Sequence, residues 1–371
     1  MTSPADPRLS IARWRLHSQH LAGPGLADPV AVVRHLLAVQ AENHSQASWA
    51  VATRTTTPDA ELFGRLYDDG LLLRTHVLRP TWHFVLPDDI GWLLDLSRSR
   101  QTRMWERQLE QERIDRVAWE HAAKLITEAL AGRILTRSEL ADHLTANGIT
   151  MNGHALMLVC GLTELHGLIC SGPTRDGQHT YALLSDRVPS TRRLEPAQAR
   201  AELIQRYIGG HGPVTERDIA YWATMTLGEV RAAIADNGDL LDSFELDGTT
   251  FWHRPGDAPT GPIEPRAHLL QILDEYYRGY QDTRNLLALD GHQVTGRESA
   301  AGMVIADSQL VGHMKRTIRP EHVTFEVQLL RQLNGDEHTA IQRAADRYGH
   351  FLHRPPRLRI TEPCSTEGHV K

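Results

Sequence analysis

A short run rich in arginine and histidine, residues 74–83, carries side chains that could bind phosphates. Four of them lie on a predicted two-stranded hairpin: His76, Arg79, Thr81 and His83. An arginine on such a hairpin can pair with phosphate oxygens or enter the groove of a nucleic-acid duplex. The alternative is that Trp82 anchors a core and the histidines are buried polar residues. Arg175, on a later predicted turn, is a further candidate phosphate contact.

Asp274 and Glu275 form an acidic pair next to the phenol of Tyr276. Two adjacent carboxylates could act as acid and base. A structural role is favoured, in which they bond backbone groups or arginines at a junction between domains. The histidines show no H-E-x-x-H or other metal-ligand spacing, and no phosphate-binding glycine loop occurs. The sequence therefore predicts no metal and no other cofactor.

The composition is that of a globular protein with more than one domain. The chain has 371 residues, is 41% hydrophobic and carries a net charge of −6, which argues against coating nucleic acid by bulk charge. Most of its basic residues are arginines, whose planar guanidinium suits bidentate phosphate contacts. We find no signal peptide, no apolar run of membrane-spanning length and no paired cysteines. We therefore expect a cytoplasmic protein.

The middle of the chain has the pattern of two helices followed by a hairpin. Thr136 and Glu139 have the spacing of a capping box at a helix start. Asn152 can cap a second helix with apolar residues at helical spacing. Two short apolar segments follow, at residues 168–171 and 180–184. A helix-turn-helix followed by a hairpin is the layout of a winged helix.

The same pattern occurs twice more. After residue 200, Thr226 and Glu229 form another capping box, and a hairpin turns at Asp247-Gly248. Near the start of the chain, helices are predicted over residues 10–21, 30–39, 46–55 and 60–67, before strands at 71–77 and 81–85. A helix over residues 88–111 would bridge the first two units.

Beyond residue 262, alternating segments predict a small antiparallel sheet or barrel. They lie at 303–305, 310–314 and 323–327, and a helix is predicted over 326–348. We expect an α+β chain of four domains: a winged-helix domain with its bridging helix (1–112), two further winged-helix domains (113–190 and 191–258), and a C-terminal β-barrel domain (259–371).

Several stretches resemble the AlkZ/YcaQ-type winged-helix DNA glycosylases. They occur in the family's order at residues 9–13, 37–42, 74–83, 168–173 and 273–280. The resemblance implies three tandem winged-helix domains with a C-terminal β-barrel, arranged as a C-shaped concave surface that binds double-stranded DNA. We accordingly expect a monomer associated with the nucleoid. It also implies metal-free hydrolysis that releases N7-alkylated guanine, including guanine in interstrand crosslinks.

The family's catalytic signature is a glutamine, one intervening residue, and then a glutamine or an aspartate. By position this signature falls on Gln40 and Glu42, so the second member is here a glutamate. An N7-alkylated guanine is already cationic, and its glycosidic bond needs little acid assistance. A carboxylate such as Glu42 could stabilise the developing cation and accept a proton from water. Gln40 could orient the water or the sugar without titrating.

Geometry sets a condition on this pair. Residues two apart on a helix point about 200° away from each other, at about 100° per residue. We therefore predict that the helix over 30–39 ends or distorts near Gln40, that Asn43-His44 turns the chain and that Ser45 caps the next helix. Otherwise, Gln40 and Glu42 are an ordinary polar helix end.

Two other functions remain open from the sequence. A winged-helix regulator would read base edges with a helix rich in Arg, Asn and Gln. The candidate recognition helix, residues 153–166, is mostly apolar, which weakens that interpretation. A relative that binds damaged DNA without catalysis is the other alternative. If the protein is a glycosylase, self-resistance to a genotoxic natural product is one use for it.

Overall fold

The first unit surrounds the segment that carries Gln40. The computed structural model of the chain describes residues 6–260, 266–292 and 302–363. Helix α1 (Pro7–Ser18) precedes the unit. The unit's elements are α2 (Pro29–Leu36), β1 (Val39–Gln40), α3 (His44–Ala52), α4 (Ala60–Asp68), β2 (Leu73–His76) and β3 (Trp82–Val85). Its three strands are antiparallel and lie in the order β1-β3-β2.

The second unit repeats this order of helix, strand, helix, helix and hairpin. Helix α5 (Pro87–Gln111) leads into it. Its elements are α6 (Arg116–Leu130), β4 (Leu135–Thr136), α7 (Arg137–Ala146), α8 (Gly153–Leu165), β5 (Ile169–Ser171) and β6 (Thr180–Leu183). The strand order β4-β6-β5 matches that of the first unit. The predicted capping box of Thr136 and Glu139 and the Asn152 cap are both confirmed.

The third unit follows the short helix α9 (Leu184–Arg187). Its elements are α10 (Pro196–His211), α11 (Glu216–Ala223), α12 (Leu227–Asn237), β7 (Asp242–Leu246) and β8 (Thr249–His253). An isolated bridge between Val214 and Trp252 occupies the place of the first strand. The predicted capping box of Thr226 and Glu229 is confirmed.

Helix α5 joins the units through two different cores. Trp92, in its first half, is fully buried in a cluster with residues of β2, β3 and α10. Trp105 and Leu109, in its second half, are buried in the core of the second unit. The predicted bridging role of this helix is therefore confirmed.

The C-terminal part is an open sheet and not the predicted barrel. Its elements are β9 (Ala267–Leu270), α13 (Glu275–Arg278), β10 (Gly302–Ala306), β11 (Gln309–Ile318), β12 (Val323–Leu329), α14 (Gly335–Phe351) and β13 (Pro356–Thr361). The strand order is β13-β12-β11-β10-β9, with β13 parallel to β12, and in the described residues the two edge strands do not pair. Helix α14 packs against one set of strand residues, and α1 and α13 pack against another. The sheet therefore buries its apolar residues without closing on itself.

The predicted helix over residues 326–348 begins too early. Residues 323–329 alternate between buried and less buried positions and form β12. Asn334 then caps α14, whose capping box includes Glu337. Residues 326–329 form a strand and not the start of a helix, because alternate residues of β12 are buried in the core beneath α14.

Candidate active site

Gln40 lies on a short strand and not on a helix. Helix α2 ends at Leu36, and Leu37 turns the backbone with φ +69°. Val39 and Gln40 then pair with Phe84 and His83 of β3. The predicted helix end before Gln40 is confirmed. The next cap is not Ser45 as predicted, because Asn43 accepts a hydrogen bond from the Gln46 backbone N–H at the start of α3.

The strand pairing extends past Gln40, since the Ala41 N–H donates to the Trp82 carbonyl at 2.6 Å. Side chains alternate along an extended backbone. Val39 and Ala41 accordingly point into the core of the first unit. Gln40 and Glu42 each line a surface cavity instead. Because the backbone at Gln40 is extended and not helical, the opposed orientation expected for residues two apart on a helix does not apply to Gln40 and Glu42.

The Gln40 cavity has a volume of about 640 Å³. Five residues contribute most of its polar lining: Gln40, Arg79, Thr81, Tyr221 and Arg278. Within the described part of the chain, no residue forms a hydrogen bond with the side-chain amide of Gln40. That amide is therefore available to a ligand in the cavity, with one acceptor and two donors.

The carboxylate of Glu275 anchors the Gln40 backbone. Its carboxylate accepts hydrogen bonds from the Gln40 N–H at 2.9 Å, Trp222 Nε1 at 2.9 Å and His211 Nε2 at 3.3 Å. Burial alone raises the pKa of Glu275, but the His211 hydrogen bond and the charge of Arg79 outweigh it and lower the pKa to about 2. Glu275 is therefore a buried anion that fixes the strand beneath the cavity.

The neighbouring Asp274 has the structural role expected from the sequence. It forms a bidentate pair with buried Arg54, at 2.8 and 3.0 Å, and caps α13 through the Tyr276 N–H. The Tyr276 hydroxyl lies within hydrogen-bond distance of the carbonyls of Ala12 and Ser308, and its one proton is shared between them. These contacts tie α13 to α1, α3 and the C-terminal sheet.

Glu42 lines a second cavity of about 400 Å³, together with Arg74, Trp82, Arg137 and His179. Its side chain is exposed. One carboxylate oxygen accepts from the Trp82 N–H at 3.2 Å. Among the residues that the structure describes, none donates a hydrogen bond to the other oxygen, so it can bind a water molecule.

Arg74 fixes the backbone on both sides of the Ala41–Glu42 peptide. Its guanidinium donates to the Ala41 carbonyl at 2.8 Å and to the Glu42 carbonyl at 3.2 Å. It also lies over the Trp82 ring, 4.2 Å from the centroid. Arg74 therefore acts on Glu42 in two ways. It bonds the Glu42 backbone carbonyl directly, and it packs on Trp82, whose backbone N–H bonds the Glu42 carboxylate.

The two cavities share no lining residue within the described ranges, although residues that are neighbours in sequence line them. Thr81 lines the Gln40 cavity, and the next residue, Trp82, lines the Glu42 cavity. The chain from Gln40 to Glu42 therefore presents a neutral amide to one cavity and a carboxylate to the other. An amide can orient a water or a sugar, and a carboxylate can attract positive charge and accept a proton.

Comparison with known proteins identifies the group to which this chain belongs. The family model described as "DNA glycosylase AlkZ-like" matches residues 33–351. The chain belongs to the AlkZ-like DNA glycosylase family. It is therefore an enzyme of the DNA glycosylase class.

A curated protein and a solved structure, both from Streptomyces sahachiroi, illustrate the similarity. A curated protein named "Interstrand DNA cross-link repair glycosylase" is 26% identical over 325 residues, which cover 81% of this chain and 86% of the relative. The solved structure of the "DNA glycosylase AlkZ" superposes with a TM-score of 0.76 at 22% identity, over 97% of this chain and all of the other. The latter comparison shows that the fold is shared across almost the whole AlkZ-like chain.

Two histidines predicted to contact DNA are buried in this AlkZ-like protein. His76 is 2% exposed, its ring pairs with Glu164, and its backbone N–H donates to the same carboxylate at 3.1 Å. Burial, together with the charge of Arg79, lowers the pKa of His83 to about 3. The neutral His83 ring donates to the Thr81 carbonyl and accepts from Arg79. Both rings are buried and bonded to groups inside the protein, which favours the alternative interpretation of residues 74–83.

Arg79 and Thr81 remain at the Gln40 cavity. Arg79 is 7% exposed and donates to the Arg278 carbonyl at 3.0 Å. Its Nε atom and the Thr81 hydroxyl are buried without a partner among the described residues. Unpartnered polar atoms on a cavity wall are typical of a site that bonds a ligand or water. Arg175 is more exposed and forms an ion pair with Glu139.

Three residues at these cavities escaped the sequence analysis. Tyr221 lies in the Gln40 cavity, and its ring faces the guanidiniums of Arg79 and Arg284 at 5.6 and 5.8 Å. Burial alone raises the pKa of Tyr221, but these two charges outweigh it and lower the pKa below its usual value. Arg278 and Arg74 also line the cavities. Arg74 and Arg278 lie in the stretches 74–83 and 273–280 that resemble the family, and no motif marks Tyr221. The role of each depends on contacts between distant parts of the chain, which these stretches do not reveal.

The described residues contain no group of three or more side chains placed to hold a metal ion. None of their helices is both long enough and apolar enough to cross a membrane.

Proposed function

We propose that this chain hydrolyses the N-glycosidic bond of N7-alkylated guanine in double-stranded DNA, including guanine held in interstrand crosslinks. The observation that carries the proposal is the pair formed by Gln40 and Glu42. An unengaged amide and a carboxylate with a free oxygen lie two residues apart, each lining a surface cavity of a DNA glycosylase. These are the two positions at which the sequence resembles the family's signature.

The proposed mechanism assigns no residue as a general acid, because this substrate needs little acid assistance. Alkylation at N7 makes the purine a good leaving group, so the enzyme must stabilise a sugar with oxocarbenium character and supply water. The Glu42 carboxylate attracts the developing charge and accepts a proton from the water. The Gln40 amide orients the water or the sugar. Glu275 acts only as a positioning residue, through the Gln40 backbone.

The expected product is a free base and an intact abasic strand. A lyase reaction would need an amine to form a Schiff base. The lysines of the described residues line neither the Gln40 cavity nor the Glu42 cavity. We therefore propose a monofunctional hydrolase.

The proposal extends to crosslinks for two reasons. The relative from Streptomyces sahachiroi is named for crosslink repair. A crosslinked base is tethered to the opposite strand and cannot turn fully into a closed pocket, so it requires an open site. Glu42 replaces the family's glutamine or aspartate and extends one methylene farther than an aspartate would. Self-resistance to a genotoxic natural product is the biological use we propose for such an activity.

The three repeated units are proposed to be winged-helix domains of a monomer that places its concave surface on DNA, with Arg79, Thr81 and Arg175 as contacts. The order of helix, strand, helix, helix and hairpin supports this assignment. A sequence-reading regulator is disfavoured because most of α8, the candidate recognition helix, is buried. Its side chains could not reach base edges.

The test uses duplex DNA with one N7-methylguanine and a second duplex with one N7-linked crosslink. The wild-type protein should release the base and leave an abasic site without cutting the strand. Gln40→Ala and Glu42→Ala should each slow base release, whereas Gln111→Ala, at the exposed end of α5, should not. No release by the wild-type protein from either duplex would refute the proposal, as would equal rates for all four proteins.

A further inference from the structure

A basic surface lies away from the proposed active site. It consists of two adjoining cavities of about 580 and 440 Å³. Both are lined by His20, Gly23 and Arg266, so they form one continuous groove. Neither shares a lining residue with the Gln40 or Glu42 cavity. We call this feature the basic groove and define it by its four arginines: Arg254, Arg266, Arg343 and Arg347.

Three of the four arginines of the basic groove are held by backbone carbonyls, and none of the four is held by a carboxylate of the described residues. Arg254 donates to the Gln205 carbonyl at 3.3 Å, and Arg266 donates to the Gly23 carbonyl at 3.1 Å. Arg347 donates to carbonyls at the end of α3. In the described part of the chain, no carboxylate oxygen lies within 4.0 Å of any of the four guanidiniums. The charges of Arg254, Arg266 and Arg347 are therefore positioned but not neutralised, and Arg343 adds an exposed charge beside them.

The remaining lining does little to offset this charge. Asp257 is the one carboxylate among the described residues that line the groove. His268 is half-buried, and its Nε2 has no partner among the described residues. Burial lowers the pKa of Arg347, and the positive charge of Arg266 lowers it further. Like charges therefore face each other across the groove, in a protein whose net charge is −6.

We propose that the basic groove binds the phosphodiester backbone of duplex DNA outside the segment that holds the damaged base. Guanidinium groups pair with phosphate oxygens through two parallel N–H donors. The four charges are spread from the end of β8 to α14, along both cavities, as an extended polyanion requires. The inference rests on the proposed function, because it supposes that the same DNA also reaches Gln40.

The test compares two variants with the same change in charge. Arg266→Ser/Arg343→Ser removes two exposed arginines of the groove, and Arg357→Ser/Arg359→Ser removes two exposed arginines of β13. Affinity for a long undamaged duplex is measured against salt concentration. Each lost phosphate contact lowers the slope of log K against log[salt] by about 0.9. We expect the groove variant to lose roughly 1.8 from the slope and the β13 variant to keep the wild-type slope.

The outcomes separate this inference from the proposed function. At saturating protein, the groove variant should release the base from a short lesion-centred duplex at the wild-type rate. Equal salt slopes for the two double variants would overturn the inference even if base release were normal. Binding of inorganic phosphate to the wild-type groove without any difference in DNA slope would also overturn it, in favour of a free-anion site. Arg343→Ser alone, on the exposed side of α14, provides a milder variant with an expected loss of about 0.9.

Discussion

The substitution Glu275→Gln tests whether a buried anion supports the strand that carries Gln40. The pKa of Glu275 falls from an ordinary 4.5 to about 2, and at 1.36 kcal/mol per pKa unit this difference contributes roughly 3 kcal/mol of stability near neutral pH. A glutamine has the same size but cannot accept from all three donors. It also leaves Arg79, 3.9 Å from the carboxylate, without its nearest negative charge. We expect the free energy of unfolding to fall by about 3 kcal/mol at pH 7.

The pH dependence has a definite sign. Because the folded pKa of Glu275 lies below the unfolded one, its contribution is complete above about pH 4.5 and disappears as the pH falls to about 2. The difference in unfolding free energy between the wild type and Glu275→Gln should therefore shrink across that window. Urea denaturation at several pH values between 7 and 3 measures it.

Glu229→Gln is the matched control. Burial alone raises the pKa of Glu229, but its hydrogen bonds to Thr226 and Arg100 outweigh it and lower the pKa to about 2. This carboxylate caps α12 at the surface, where solvent screens charges, so its loss should cost only about 1 kcal/mol. The reasoning is refuted if Glu275→Gln costs no more than Glu229→Gln, or if its cost does not change with pH.

Three further substitutions test other parts of the structure. Gly161→Ala should destabilise the protein by about 1 to 3 kcal/mol, because the added Cβ would lie 1.6 Å from buried Trp105. Gly153→Ala, in the same helix and in open space, should be neutral or stabilising in the same thermal melts. Thr136→Ala should cost about 1 kcal/mol by removing the cap of α7, and Thr136→Ser should restore it. Arg74→Lys should cost about 1.5 to 3 kcal/mol in urea denaturation and should slow base release, because lysine cannot bond both carbonyls while stacking on Trp82; a wild-type rate would count against the proposed role of Arg74.

Local patterns in the sequence predicted much of the fold. The capping boxes at Thr136 and Thr226 depend on residues three apart, and both form. The alternating segments of the C-terminal sheet also form strands. The prediction of a C-terminal barrel was wrong. A sheet closes into a barrel only if its two edge strands pair, and in the described residues α1, α13 and α14 cover the sheet while the edge strands stay apart. No local pattern contains this information.

The candidate site was only partly predictable. Resemblance to the family located Gln40 and Glu42, but the strand that carries Gln40 has two residues, too few for a detectable alternation. The bond from Gln40 to Glu275 joins residues 235 positions apart. The burial of His76 and His83 was equally hidden, because a histidine that binds phosphate and one that fills a core have the same residue type.

The central claim is that the Glu42 carboxylate takes part in the chemical step. The most direct measurement is the single-turnover rate of base release from an N7-methylguanine duplex at saturating protein, for the wild type, Glu42→Ala and Glu61→Ala. Alanine removes the polar group altogether, whereas glutamine would restore a residue that the family's signature allows. Glu61 is an exposed carboxylate in the first turn of α4 and serves as the control. We predict that Glu42→Ala slows the rate by about 10² to 10⁴ at unchanged DNA affinity, while Glu61→Ala matches the wild type. A Glu42→Ala rate within about twofold of the wild type, well below the range expected for a general base, would contradict the account.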